Sequence, residues 1–150
     1  MRKSEQEITD RNRIDEIIRK CQVCRLGLKD TDGPYIVPMC FGYDGTHFYF
    51  HCAPEGRKLD VIRRNGNVCF ELDIVQSIVA AEKSCGWSIR YQSVMGTGHA
   101  YFVDDIEEKR KALTAIMAQY SDASHTFPGS SVQETTILRV RIESITGKHA

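Results

Sequence analysis

Two periodicities alternate along this chain, and between them they place most of its secondary structure. Residues 10–20 carry Ile14, Ile17, Ile18 and Cys21 at spacings that form one apolar helical face, with Asp10 in the N-cap position. A short strand over residues 24–29 follows, closed by the turn Asp30-Thr31-Asp32-Gly33-Pro34.

The pattern then changes to strict alternation. Phe48, Phe50 and Cys52 fall on one side of a strand, and His47, Tyr49 and His51 on the other. Residues 35–41 and 46–53 flank Asp44-Gly45, a strong hairpin signal. A two-residue turn there places Phe41 opposite Phe48, Met39 opposite Phe50 and Val37 opposite Cys52, with Pro38 against His51 on the polar face. Pro38 cannot donate to a ladder, so it marks an edge, an opened stretch or a bulge.

Helical spacing returns over residues 55–65, with Leu59 and Ile62 inward and Asn65-Gly66-Asn67 as the stop, and a strand covers 68–73. Residues 74–87 suit either a strand or a short helix, and a lid is one use for such a segment. Residues 91–103 predict one long strand bent at Gly96 and Gly98. A helix over 105–120 opens on Asp105 with Glu108 in capping-box spacing and turns Ile106, Leu113, Ile116, Met117 and Tyr120 inward. A loop over 121–131 leads to a last strand at 135–146. Six strands joined by hairpins, with peripheral helices and no regular βα repeat, predict a mainly β fold: one domain over residues 1–150 built as a small antiparallel barrel.

Composition narrows the function classes. Twenty Lys and Arg balance 20 Asp and Glu without a basic stripe, so nucleic acid is not an expected partner. The charged start and the lack of a long apolar run predict a cytoplasmic protein without a membrane segment. Six cysteines in a chain of this size read as buried, reduced thiols, and Cys21-Gln22-Val23-Cys24 has no second motif to complete a metal site. The histidines lack metal-ligand spacing, and no nucleophile elbow or P-loop is present.

One stretch carries chemistry. The segment from His47 runs through His51-Cys52-Ala53-Pro54-Glu55-Gly56 into a helix start at Arg57-Lys58, where two cations sit at the positive end of the helix dipole. An anion would reverse that penalty, so the corner reads as a phosphate cradle; it also suits a solvated helix start with basic side chains extended into water. Tyr49, Trp87 and Tyr91 suit either stacking on a planar ligand or ordinary packing.

The series Tyr35-Ile36-Val37-Pro38-Met39-Cys40-Phe41-Gly42-Tyr43-Asp44-Gly45, Phe50-His51-Cys52-Ala53-Pro54-Glu55-Gly56-Arg57-Lys58 and Tyr91-Gln92-Ser93-Val94-Met95-Gly96-Thr97-Gly98 resembles the pyridoxamine 5'-phosphate oxidase-like flavoproteins of split β-barrel fold, and within them the nitroimidazole-resistance (Nim) proteins. The resemblance implies a homodimer with FMN in two equivalent grooves at the subunit interface, its phosphate near Arg57 and Lys58. Pro38, Met39, His51, Cys52 and Ala53 match positions that line the flavin, Ser93 and Val94 match a strand that approaches it, and Trp87 and Tyr91 are further carry-overs. FAD is the larger alternative, and haem a third planar cofactor held by this fold. The Arg- and Trp-rich C-terminal signature of true pyridoxamine-phosphate oxidases is absent from residues 135–150. The expected activity is therefore flavin-dependent reduction of a small acceptor such as a nitro compound, with a non-catalytic cofactor-binding module or an oxidase of unknown substrate as alternatives. No residue is identifiable as a catalytic acid or base.

Overall fold

Asp10 accepts the Asn12 N–H at 3.0 Å and so caps the first helix, α1 (Arg11–Lys20), which buries the stripe of Ile14, Ile17 and Ile18 that its spacing predicts. The structure, a computed structural model, describes residues 4–150. Its strands are β1 (Glu7–Ile8), β2 (Cys24–Asp30), β3 (Gly33–Met39), β4 (Gly42–Tyr43), β5 (His47–Cys52), β6 (Asn67–Val79), β7 (Ser88–Val103) and β8 (Thr136–His149). The remaining helices are α2 (Arg57–Arg64), α3 (Ile106–Tyr120) and α4 (Gly129–Glu134).

The strands form one antiparallel sheet in the order β3-β2-β6-β7-β8-β5-β4, with β1 added on β8. Its end strands, β3 and β4, are separated in the chain only by Cys40 and Phe41, so the sheet curls until its edges approach. This is the antiparallel split barrel with peripheral helices that the sequence predicts, six long strands and two of two residues. Leu26, Phe41, Phe48, Phe50, Phe70 and Leu72 fill its interior, and α1 packs against β6 and β7. The bend predicted in β7 is present: its pairing with β8 shifts between Thr97 and Gly98. A Cβ at position 96 would run into the Ser144 carbonyl oxygen and the Phe70 ring, so only glycine lets β8 and the core approach so closely.

The hairpin is built differently from the expectation. β3 pairs with β2, Met39 opposite Cys24 and Val37 opposite Leu26, across a two-residue turn at Thr31-Asp32. β5 takes β8 and the short β4 as partners, with Tyr43 opposite Phe48. The turn spans Asp44 to His47 because the Asp44 carboxylate gathers four donors: the N–H groups of Thr46 (2.8 Å) and His47 (2.7 Å), the Thr46 hydroxyl (2.9 Å) and the Tyr49 hydroxyl (2.6 Å). That moves the register by two residues, and a two-residue slip keeps every side chain on its expected face.

Other boundaries move as well. β6 continues to Val79 and β7 begins at Ser88, so the ambiguous segment is a two-stranded ribbon tipped by a 3₁₀ turn at Ser84–Gly86. Asp105 does cap α3, accepting the Glu108 N–H at 2.9 Å. Of its predicted inward residues Ile116 is buried, while Ile106 and Tyr120 are exposed. Tyr120 serves through its hydroxyl, which accepts the Phe41 N–H and donates to the Gln22 carbonyl, both at 2.9 Å. The predicted 121–131 loop ends early, at the start of α4.

Burial works against ionisation of Asp44, but the hydrogen bonds from Tyr49, Thr46 and His47 outweigh it and hold the carboxyl at about 2, below its ordinary 3.8. The folded form therefore favours the carboxylate. Its contribution is complete above the ordinary value and is lost as pH falls through about 2. Asp44→Asn should lower stability by about 1 kcal/mol at neutral pH, allowing for solvent exposure, and the gap from wild type should close between pH 4 and 2 in denaturant titrations, on the order of that pKa interval.

Candidate functional site

β5 ends at Cys52, and residues 53–56 turn the chain into α2. The first helical residue is Arg57, not Glu55, so the acidic residue of the first turn is Asp60. Gly56 is the N-cap at φ 132°, a conformation that favours glycine, and it offers no side chain to the free N–H groups behind it. Its carbonyl takes the N–H groups of Leu59 (2.9 Å) and Asp60 (3.3 Å). Among the described residues nothing accepts the N–H of Arg57 or Lys58.

Sequence reasoning missed the residue that faces this corner from another strand. Asp30, the last residue of β2, receives Arg57 Nε at 2.8 Å and Arg64 Nη2 at 2.7 Å, and Arg57 also lies 4.6 Å from the centre of the Tyr35 ring. The Arg57 hydrogen bond holds the Asp30 carboxyl below its ordinary range, and the same bond raises the Arg57 guanidinium. Part of the penalty expected for a cation at this helix start is thus answered by the protein itself. Two guanidinium groups share the Asp30 carboxylate, and the nearby Asp32 charge also acts on Arg57. Lys58 is the cation left over: its half-buried side chain has no ion-pair partner among the described residues.

Lys58 also connects the corner to β5. Burial raises the Cys52 thiol pKa, while the Lys58 charge pulls it the other way. Met39 and Cys52 pack against the same core cluster. Pro38 and Met39 end β3, His51 and Cys52 end β5, and Ala53 leads on to Arg57 and Lys58 at the start of α2. β3 and the β5–β4 pair lie at opposite ends of the sheet order, with a seam between β3 and β5, which share no ladder.

The other predicted site residues lie elsewhere in the chain. Cys52 pairs with Thr136 at one end of β8, whereas Tyr91 bonds to Ala150 just beyond the other end. Ser93 is buried opposite Asp73 and Lys148, and Val94 is fully enclosed in the barrel, so it can offer a ligand only backbone. Trp87 stands exposed at the ribbon tip, and the Lys148 ammonium lies 5.5 Å from the Tyr91 ring centre. Three strand spacings, about 14 Å, separate Ser93 from β3. One chain does not bring the two groups together.

The residues 10–149 match the family model described as pyridoxamine 5'-phosphate oxidase. Among solved structures, the chain is similar to a Bacteroides thetaiotaomicron VPI-5482 protein proposed as a 5-nitroimidazole antibiotic resistance protein, at 36% identity over 95% of this chain and 86% of that one, with a TM-score of 0.86. It shares its fold with an FAD and heme binding protein of Mycobacterium smegmatis, at 18% identity over 97% and 73% of the two chains (TM-score 0.86). The flavocytochrome Anf3 of Azotobacter vinelandii is similar in the same way, at 17% identity over 97% and 70% (TM-score 0.84). No curated protein matches the sequence.

The thiols differ from the uniformly buried set that composition suggests. All six are free; Cys21 and Cys24 are buried, Cys52 is half-buried, and Cys40, Cys69 and Cys85 are exposed. Burial pushes Cys21 up to about 12 and raises Cys24 too, and no metal-binding cluster exists among the described residues. A thiol reagent should therefore modify Cys40 and Cys85 at once, Cys52 more slowly, and Cys21 and Cys24 only on unfolding. Mass spectrometry of a labelling time course reads this order, and early modification of Cys21 or Cys24 would contradict it.

Proposed function

The chain belongs to the pyridoxamine 5'-phosphate oxidase family, and on that premise we propose that it is an FMN-dependent oxidoreductase that reduces a small acceptor such as a nitroaromatic compound. The observation that carries this reading is the likeness, across nearly the whole chain, to the Bacteroides protein proposed for nitroimidazole resistance. The corner at α2 fits a flavin phosphate. The helix start offers the free N–H groups of Arg57 and Lys58 and the positive end of the dipole, Lys58 supplies a cation in the same turn, and Arg57 is held in place by Asp30. Pro38, Met39 and the 51–53 segment would border the ring system along the seam. Bound flavin supplies the electron transfer; the chain's part is to hold and orient it.

The second group of residues reaches such a site only from another copy, which supports a homodimer. Ile36, Val75, Ile78, Trp87, Ile89 and Met95 are large apolar side chains exposed on β3, on the ribbon and on β7. A groove of about 760 Å³ lies on the same sheet, lined in part by Gly27, Pro34, Ile36, Cys69 and Thr97. Apolar surface of this extent calls for a covering partner. Among the described residues no helix is long and apolar enough to cross a membrane.

Three measurements test the proposal. Anaerobically reduced, flavin-loaded protein should recover its oxidised spectrum on adding a nitroaromatic; a spectrum that stays reduced would assign it to a non-catalytic module, and a Soret band to haem. Lys58→Ala should weaken FMN by about one to two orders of magnitude and leave riboflavin, which lacks the phosphate, nearly unaffected. Equal losses for both would move Lys58 from the phosphate to the ring or the fold. Light scattering should give twice the chain mass with Cys69 protected from labelling, and Met95→Asp should yield monomers with reactive Cys69; a flavin-loaded wild-type monomer would refute the dimer.

A further inference from the structure

At the far end of the barrel from α2, the structure assembles a second cationic site. A cleft of about 650 Å³ opens between α1, β1, the base of the ribbon and the end of β8. Arg13 comes to it from α1, Arg90 and Gln92 from β7, His149 from β8 and Gln76 from β6, with Ile8 as an apolar side. Lys and Arg balance Asp and Glu over the whole chain, yet no acidic side chain lines this cleft. Ala150 lines it through a backbone bonded to Tyr91 in both directions, at 3.0 and 3.2 Å.

Two features mark the cleft as built to receive a ligand. Gln92 is only 8% exposed, and its carboxamide, which has no protein hydrogen-bond partner among the described residues, opens onto the cleft. Its donors and acceptor are met by whatever occupies the cleft, water or ligand. Second, the pairing of β6 with β7 shifts between Val75 and Ser77, so Gln76 is the extra residue of a bulge. Bulges re-aim side chains, and this one puts a second carboxamide into the same cleft.

We propose that this cleft binds the phosphoryl group of a small molecule. The donor set favours phosphate over carboxylate. Arg13 spends one contact on Glu16 at 2.8 Å, and Arg90 has no ion-pair partner among the described residues. Two planar guanidinium forks, two carboxamides and an imidazole offer more N–H groups than the two oxygens of a carboxylate accept, and they suit the several terminal oxygens of a phosphoryl group. The site is separate from the flavin corner, because Gln92 pairs with His149 at one end of β8 and Cys52 with Thr136 at the other.

The test uses flavin-loaded protein, with inorganic phosphate, phenyl phosphate and acetate as probes, followed by NMR of the side-chain amides. Phosphate should shift the Gln76 and Gln92 signals saturably in the low millimolar range, and Arg90→Ala should weaken binding about tenfold or more while Arg90→Lys restores part of it. Tighter binding of phenyl phosphate would assign the site to an organic phosphate, and equal binding to the free ion. Acetate binding as well as phosphate, absence of saturation, unchanged affinity in Arg90→Ala, or shifts confined to the Arg57–Lys58 corner would each overturn the proposal. Lys58→Ala should leave these shifts unchanged, so the outcome does not depend on the assignment of the flavin corner.

Discussion

Two residues of chain, Cys40 and Phe41, connect the strands at opposite ends of the sheet, and that covalent constraint organises the molecule. A sheet of this length cannot stay flat with its edges tied together, so it coils, and the coiling needs the glycine approach at position 96 and the shifted pairing beside Gly98. The tie does not close the ladder. Among the described residues β3 pairs with β2 alone, and no ladder joins it to β5 or β4. The barrel is thus tied by covalent connection where hydrogen bonds do not close it, and Pro38, Met39, Cys52 and the start of α2 lie at the strand ends next to that break.

What was legible in the sequence depended on how local the governing interaction was. Asp10 and Asp105 cap helices through N–H groups two and three residues away, and both helices are where their patterns place them. The paired glycines of β7 announced their bend because their reason is steric. The hairpin failed at a finer level. Asp44-Gly45 is a good two-residue turn in isolation, but Asp44 finds more donors in a wider loop, and β3 gains a full partner in β2. Residues 74–79 were ambiguous because their ribbon is exposed on both faces, so burial imposes no period on them.

The candidate site divides along the same line. That Arg57 and Lys58 crowd a helix start is visible in four consecutive letters. That Asp30 answers one of them is not, since 27 residues separate Asp30 from Arg57 and only the barrel's curl brings them to 2.8 Å. The ion pair changes the meaning of the motif. Arg57 becomes a structural brace between β2 and α2, further pinned over Tyr35, and Lys58 is left as the charge available to a ligand.

The ribbon joins the two halves of the functional picture. Over most of its projecting length β6 and β7 pair only with each other, and a two-stranded ribbon alone is marginally stable in water. Its side chains divide by face: Val75 and Tyr91 stand opposite each other on one, while Arg90 and Gln92 line the cleft on the other. A partner covering the apolar face would fix the ribbon, and a fixed ribbon would hold Arg90 at the cleft. A second copy on the apolar face and an anion in the cleft, both as proposed, would act on the same ribbon, so each would favour the arrangement that the other needs.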